Sequence, residues 1–252
     1  MNSVNHHVTR TASDFWHAAG GRGAFPYDII GAVSLALPID IISLSDLSIR
    51  KIETWLSRRR IPVNIGLNDR FLHGFILVSR GSGFIFVNGT DPEEERRYTI
   101  AHEVAHFLLD YRLPRDNALQ TLGPAILEVI DGFREATMDE RIDGALSAVP
   151  VRPYMHLLEK TGDGSFDSWN IQKAENDADD LAVELLAPRS EILKSIYPIK
   201  TRTRLSFNGI RDQCYDILRH KCLIPNSIAE IYSTRLAYFI TGGPSLLDEF
   251  GL

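Results

Sequence analysis

His102-Glu103-Val104-Ala105-His106 is the stretch of sequence that decides how this chain folds and what chemistry it can support. Two histidines four residues apart on a helix lie one turn from each other on the same face, so both imidazoles can reach one metal ion. Glu103 lies about 100° around the helix from His102 and can take a proton from a water molecule beside that metal. The flanking residues are apolar on nearly every side, which indicates a buried helix. Because burying such polar groups without partners would cost several kcal/mol, the pattern favours a metal site over incidentally placed polar side chains.

A catalytic zinc site needs a third protein ligand. A histidine six residues after His106 is excluded, because that position holds Arg112. The best candidate is Glu175, because an apolar stripe predicts a helix from Glu175 to Pro188 and places Asp179 on the same face. Glu175 can then bind the metal while Asp179 accepts the far N–H of a ligating histidine. A solvent-exposed helix of carboxylates is the alternative, and the rival acidic ligands are Glu128, Glu135, Glu140, Glu159 and Asp177.

These two segments together resemble the ImmA/IrrE family of metallopeptidases. Members carry an R-[FY]-T-x-A-H-E-x-x-H helix and later an E-x-x-A-[ND]-x-x-A-x-x-L-L-x-P helix. The chain follows both patterns, from Arg97 to His106 and from Glu175 to Pro188. The resemblance implies that His102, His106 and Glu175 bind Zn²⁺ and that Glu103 is the catalytic base.

The same resemblance implies a zinc-dependent endopeptidase that makes limited cuts in a regulatory protein, such as a transcriptional repressor or an antitoxin-like partner. One alternative is a regulatory binding module that keeps the zinc fold and acts by protein contact, with little or no proteolysis. An intact Glu103 argues against this alternative, since a structural zinc site needs no general base. Hydrolysis of a small amide is a further possibility. The chain departs from the family in two ways: the 68-residue spacer between His106 and Glu175 is longer than usual, and no N-terminal helix-turn-helix domain is visible.

The residues before the motif predict an α+β, zincin-like fold, with a small, mostly antiparallel sheet packed on a buried metal-binding helix and with additional helices. Strands are predicted at 39–43 and 61–65, and a β-hairpin is predicted from 71–79 and 83–88. In zinc peptidases of this kind an extended substrate pairs with an edge strand, and 83–88 is the candidate for that strand or for an ordinary core strand.

Helices are predicted at 27–37 and 49–59, the second capped by Asp46 or Ser48. The motif helix is predicted to begin with Asp91 as its N-cap and Pro92 in its first turn.

The order of segments predicts three parts. Residues 1–24 are polar and are expected to form a mobile lead-in. Residues 25–200 form the zincin-like domain, with a long insertion at 111–170 that holds helices at 122–138 and 151–159 and a loop at 162–165. Residues 201–252 form a helical extension, with helices at 210–223 and 227–239 that are separated at Pro225.

Composition excludes several classes of protein. A chain of 252 residues with 44% hydrophobic content can bury a substantial core. The net charge of −6 argues against nucleic-acid or anionic-membrane binding, and the basic run 58–60 is interpreted as a favourable helix C-terminus. Cys214 and Cys222 are expected to be reduced thiols. With neither a signal peptide nor a membrane span predicted, a cytoplasmic protein is expected.

Stabilisation of an oxyanion would require a donor besides the metal. Residue type alone suggests five candidates, and the one within the motif helix, Tyr98, is interpreted as a packing residue. The candidates are Tyr98, Tyr111, Tyr154, His156 and His220.

Overall fold

The computed structural model describes residues 6–61, 65, 68–147, 169–200 and 206–244. In this part of the chain the strands are β1 (Ile39–Leu44), β2 (Gly74–Ser79) and β3 (Ser82–Asn88). The helices are α1 (His6–Ala18), α2 (Ile29–Ala36), α3 (Ile49–Arg58), α4 (Glu93–His106), α5 (Leu113–Leu122), α6 (Ile126–Ile130), α7 (Met138–Leu146), α8 (Trp169–Leu186), α9 (Arg189–Lys200), α10 (Phe207–Asp216) and α11 (Asn226–Thr241). Two π-helical segments, Phe107–Arg112 and Ile217–Lys221, continue α4 and α10 without a break.

The three strands form one sheet in the order β1-β3-β2. The predicted hairpin is confirmed, because β2 and β3 are antiparallel, with Ile76 opposite Ile85. The two turn residues, Arg80 and Gly81, both have positive φ, as a tight hairpin requires. Strand β1 runs parallel to β3, because α3 and the segment after it carry the chain back before β2 begins. The α+β, zincin-like fold is therefore confirmed, but the sheet is mixed and the prediction of a mostly antiparallel sheet is wrong.

Helix α4 lies between the sheet and α8, and the main core forms around it. Its side chains Ile100 and Val104 share this core with Ile85 of the sheet and with Leu181 of α8, and all four are at most 2% exposed. The prediction that Asp91 caps α4 is wrong. The carboxylate of Asp91 instead accepts a hydrogen bond from Asn88 Nδ2 at 2.7 Å and lies 2.8 Å from His73 Nδ1.

The N-terminal segment corrects another prediction. Residues 6–18, expected to belong to a mobile lead-in, form helix α1 and pack against α8. Val8, Ala12, Phe15 and Trp16 are buried and follow the i, i+4, i+7, i+8 spacing of an amphipathic helix. Trp16 Nε1 also donates a hydrogen bond to the Leu185 carbonyl at 3.1 Å. The polar residues between the apolar ones conceal this stripe when the segment is judged by composition alone.

The insertion begins with the π-helical segment and continues through α5, α6 and α7. One helix over 122–138 was predicted, and this is wrong: Gly123 ends α5 at φ +81°, and Gly132 follows α6 at φ +75°. The insertion has a small core of its own, and an ion pair between Arg115 and Asp131 lies beside it. The predicted helix at 151–159, the loop at 162–165 and the centre of the predicted strand at 61–65 lie outside the described residues.

The predicted C-terminal helices are confirmed as α10, with its π-helical continuation, and α11, and both contribute side chains to the main core. Ser48 caps α3, as one of the two predicted alternatives. Cys214 and Cys222 are buried free thiols, and burial raises the pKa of each to about 12. Among the helices of the described residues, none combines the length and the apolar character needed to cross a membrane.

Candidate metal centre

Four polar side chains follow one face of α4 and its π-helical continuation at intervals of four residues. They are Tyr98, His102, His106 and Asp110. Residues at this spacing lie above one another on a helix, so the row forms one polar stripe in an otherwise apolar element. The stripe faces α8, which is the helix in closest contact with α4. The stripe therefore places its donor atoms where α8 can complete a site.

The histidines of the stripe and one glutamate of α8 converge on a common point. His102 Nε2 lies 3.0 Å from His106 Nε2. The Glu175 carboxylate lies opposite both rings, with Oε2 3.5 Å from His102 Nε2 and Oε1 3.6 Å from His106 Nε2. Among the described residues, these three form the one group of histidine, cysteine and acidic side chains whose ligand atoms lie close enough together to hold a metal ion.

The spacing of these atoms fits a tetrahedral metal. Metal bonds of about 2.0–2.2 Å at tetrahedral angles place ligand atoms about 3.3–3.6 Å apart. The separations of 3.0, 3.5 and 3.6 Å between the ligand atoms of the three residues lie in or just below that range. A donor set of two imidazoles and one carboxylate also suits zinc and leaves the fourth position open for water or substrate. His102, His106 and Glu175 therefore have the composition and the separation that a catalytic zinc site requires.

The outer nitrogen of His102 lies beside a carboxylate of α8. Asp179, one helical turn after Glu175, places Oδ1 3.0 Å from His102 Nδ1, and Tyr98 Oη donates a hydrogen bond to the same Oδ1 at 2.8 Å. Burial alone would lower the pKa of His102, but the carboxylates of Asp179 and Glu175 outweigh it and raise that pKa to about 10. Tyr98, expected to be a packing residue, thus also has a polar contact, and burial beside Asp179 raises its pKa.

The outer nitrogen of His106 is held from its own helix. Its Nδ1 lies 2.7 Å from Asp110 Oδ2, in the π-helical segment. Sequence reasoning passed over Asp110, although its position four residues after His106 is the spacing that could have identified it. Both histidines therefore direct Nε2 towards Glu175 and Nδ1 towards a separate aspartate, an arrangement that fixes ring orientation in metal sites.

Glu103 lies on the neighbouring face of α4, against the sheet. It is 5% exposed, and the Ile76 backbone N–H of β2 donates a hydrogen bond to its carboxylate. Its other oxygen, Oε2, is buried and has no hydrogen-bond partner among the described residues. The pKa of Glu103 is raised, because the effect of burial is larger than the opposing effect of the nearby histidines.

Gly74 makes room for Glu103 at the start of β2. A Cβ atom at this position would lie 2.3 Å from Thr99 Cγ2 and 3.0 Å from Glu103 Oε1. Any side chain at position 74 would therefore displace the glutamate or the helix that carries it. The close approach of α4 to β2 depends on this glycine.

The rival acidic ligands have other partners. Glu128 and Glu140 pair with Arg134, and the Arg134 guanidinium lowers the pKa of Glu140 to about 2. Glu135 and Asp177 lie beside Arg141 and Lys173. Glu159 lies outside the described residues.

Two of the oxyanion candidates, Tyr154 and His156, also lie outside the described residues. Tyr98 contacts Asp179, and Tyr111 accepts a hydrogen bond from the Gly81 backbone N–H at 2.6 Å. His220 is exposed in the π-helical segment after α10. None of the described candidates is therefore assigned the role of oxyanion donor.

Comparison with known families places this geometry in context. Residues 54–136 match the IrrE N-terminal-like domain of the peptidase M78 family. The match begins within α3, includes the sheet strands β2 and β3 and the whole of α4, and ends in the insertion. Glu175 and Asp179 lie beyond it, so their place in the site rests on the sequence pattern and the geometry. Neither the curated proteins nor the solved structures contain a match to this chain.

Proposed function

We propose that this chain, which its metallopeptidase-like domain assigns to the ImmA/IrrE family, is a zinc-dependent endopeptidase. One observation carries the proposal: His102, His106 and Glu175 converge at metal-ligand spacing while a buried glutamate with an unpartnered oxygen lies on the next face of the same helix. A structural zinc site usually has four protein ligands and needs no such glutamate. The arrangement favours catalysis over a purely structural role.

Different residues have different roles in the proposed hydrolysis. His102, His106 and Glu175 would hold the metal, which when bound would supply a Lewis acid that polarises a scissile carbonyl and acidifies water. Glu103 accepts a proton from the attacking water and delivers it to the departing amine. Its raised pKa supports this role, because a carboxylate that is buried holds a proton more readily than one in water. The Ile76 N–H keeps one oxygen of Glu103 in place while the other remains available to the proton in transfer.

The structure changes the choice of substrate-binding strand. β3, the candidate from the sequence, pairs with β1 on one side and β2 on the other, so it has no free edge for a peptide. β2 is an edge strand in the described sheet, and Gly74 and Ile76 at its start adjoin Glu103. We propose that an extended substrate pairs with the outer edge of β2, which would bring its backbone next to the general base.

The expected substrate is a regulatory protein that is cut at a limited site, such as a repressor or an antitoxin-like partner. This expectation comes from the resemblance to the family. Pairing with the edge of β2 would add a physical requirement, because only an unfolded or extended segment can pair with a strand edge.

The decisive comparison is between Glu103→Gln and Glu93→Gln. Both substitutions remove one carboxylate from α4, but Glu93 is exposed in the first turn, far along the helix from the histidines. Zinc content is measured by mass spectrometry of the metal, and cleavage by mass spectrometry of new termini in a mixed library of unstructured peptides. We expect the wild-type protein and Glu93→Gln to cleave alike, and Glu103→Gln to keep one zinc per chain while losing about 10²–10⁴-fold in rate.

Two results would overturn the proposal. One is Glu103→Gln cleaving at the wild-type rate. The other is a zinc-loaded wild-type protein that produces no new termini, which would favour a regulatory binding module that acts without proteolysis.

A further inference from the structure

We propose that Asp110 is a positioning residue that orients His106 for metal binding, and that the π-helical segment Phe107–Arg112 holds it in place. This inference rests on the proposed zinc site and extends it to a residue outside the ligand set. It explains why the metal-binding helix changes its hydrogen-bonding pattern immediately after the second histidine. π-helical turns within α-helices are frequently found at functional sites.

The contact between the two side chains is short and partly enclosed. His106 Nδ1 lies 2.7 Å from Asp110 Oδ2, with the His106 side chain 5% exposed and the Asp110 side chain 31% exposed. Because Nε2 of His106 points at His102 and Glu175, a neutral ring bound to metal through Nε2 carries its proton on Nδ1. Nδ1–H then donates to Asp110, which fixes the tautomer and the rotation of the ring and makes Nε2 a stronger ligand.

Asp110 forms an ion pair with His106, while the cations close to it in the chain pair with other carboxylates. The neighbouring cations have other carboxylates: Arg112 lies 3.7 Å from Asp116, and Arg115 pairs with Asp131. Among the described residues, the ion pair recorded for Asp110 is the one with His106. A carboxylate that served only to stabilise the helix surface would have no need of a buried imidazole.

The π-helical segment is also fixed from the sheet. Tyr111, the next residue, accepts a hydrogen bond from the backbone N–H of Gly81 at the tip of the β2–β3 hairpin. Its ring is buried, and it packs against Phe107 at a centroid distance of 5.3 Å. The backbone that carries Asp110 is thus held between the ligand His106 on one side and the hairpin on the other. The same hairpin supplies the edge strand proposed for substrate.

The test compares Asp110→Asn with Asp116→Asn in the full chain. Both remove one negative charge near the start of the insertion, but the Asp116 side chain is half exposed and pairs across the surface with Arg112. The dissociation constant for zinc is measured by competition with a chelator, and the ligand field is read from the absorption spectrum of the Co²⁺-substituted protein. We expect Asp110→Asn to bind zinc about 10–100-fold more weakly and to change the Co²⁺ spectrum. We expect Asp116→Asn to match the wild-type protein within about twofold in affinity and in spectrum.

A merely structural role for Asp110 predicts a different pattern. In that case Asp110→Asn would lower the unfolding temperature of the metal-free protein. It would leave the Co²⁺ spectrum unchanged, because the spectrum reports only the ligands and their orientation. Asp110→Glu, which keeps the acceptor on a longer side chain, is expected to recover part of the affinity lost in Asp110→Asn.

Zinc affinity and a Co²⁺ spectrum of Asp110→Asn equal to those of the wild-type protein would overturn the inference and leave the proposed function standing. A wild-type protein that binds no zinc would overturn both. The two failures are therefore distinguishable in one set of titrations.

Discussion

The two functional faces of α4 are supported by different parts of the molecule. The metal-binding face, with His102 and His106, depends on α8, whose Glu175 follows His106 after a spacer of 68 residues. The face with Glu103 depends on β2, which belongs to the β2–β3 hairpin that comes directly before α4 in the chain. The proposed metal binding and the proposed proton transfer therefore depend on separate contacts. A substitution on one side should therefore impair one function and spare the other.

The two faces also differ in their electrostatics. On the metal-binding face each histidine nitrogen has a polar neighbour: Glu175 lies opposite both Nε2 atoms, and Asp179 and Asp110 lie beside the Nδ1 atoms. On the other face Glu103 is almost fully buried against the sheet, and burial raises its pKa. Partnered ligands bind a cation well, whereas a desolvated carboxyl group exchanges protons more readily near neutral pH. Each face has the environment that its proposed role requires.

Glu175→Gln should give the largest effect, because it removes a proposed ligand from the metal-binding face. Loss of a residue that only supports a metal ligand raises the dissociation constant by at most roughly 100-fold. We expect a larger rise in the zinc dissociation constant here, because a ligand itself is changed. Chelator competition measures this change. Asp177→Asn is the matched control, since Asp177 lies on the same helix beside Lys173, and it should leave the affinity unchanged. Equal affinity in wild-type and Glu175→Gln proteins would remove Glu175 from the ligand set.

Gly74→Ala should impair the other face alone. The added methyl group meets Thr99 Cγ2 and Glu103 Oε1, so we expect the base to be displaced more than the histidines, which lie on the face of α4 towards α8. We expect kcat for peptide cleavage to fall by about 100-fold, as for a misplacement of about 1 Å, and zinc affinity to stay within about twofold. Gly23→Ala is the control, because a Cβ at that position has no atom within 4 Å. Parallel losses of zinc and of rate would contradict the separation of the two faces.

Asp179→Asn tests the outer support that α8 gives to His102. An amide keeps the shape of the side chain but no longer attracts the proton on His102 Nδ1 as strongly. We expect zinc to bind about 10–100-fold more weakly and kcat at saturating zinc to change much less. Steady-state kinetics over a zinc titration separates the two quantities. A fall in kcat at full zinc occupancy, with no change in affinity, would assign Asp179 to a step other than metal binding.

Tyr98→Phe should give the smallest effect, because the hydroxyl acts on His102 only through Asp179. We expect a loss of zinc affinity of less than about 10-fold, since the hydroxyl is one contact further from the metal than the outer partners. Tyr215→Phe removes a hydroxyl that bonds Asn226 at a distance from the site, and it should not alter zinc affinity. If Tyr98→Phe equalled Asp179→Asn in its effect, Tyr98 would have a larger role than the geometry assigns to it.

Local sequence signals predicted much of the molecule. The β-hairpin, the motif helix and the helix of Glu175 follow from periodicity and turn residues, and the structure brings together the three side chains expected as ligands. The parallel pairing of β1 with β3 could not be read in this way, because it is decided by where α3 leads the chain. The order of the strands has the same origin, and among the described residues it places β3 in the centre of the sheet and β2 at an edge.

Features that depend on close approach were the hardest to foresee. The need for Gly74 arises only when α4 lies against β2, and no local pattern distinguishes this glycine from one in a turn. Asp110 had the right spacing from His106, but its importance rests on which ring nitrogen faces the metal group. The core role of α1 was masked by its polar residues, although its apolar period was present in the sequence.

Anomalous diffraction at the zinc absorption edge, from crystals of the zinc-loaded wild-type protein, would show directly where the metal binds. We expect one strong peak per chain, about 2.0–2.2 Å from His102 Nε2, His106 Nε2 and a carboxylate oxygen of Glu175. A stoichiometric zinc bound elsewhere, for example at Cys214 or Cys222, would contradict this expectation. So would a zinc at the two histidines with Glu175 turned away and another protein side chain in its place.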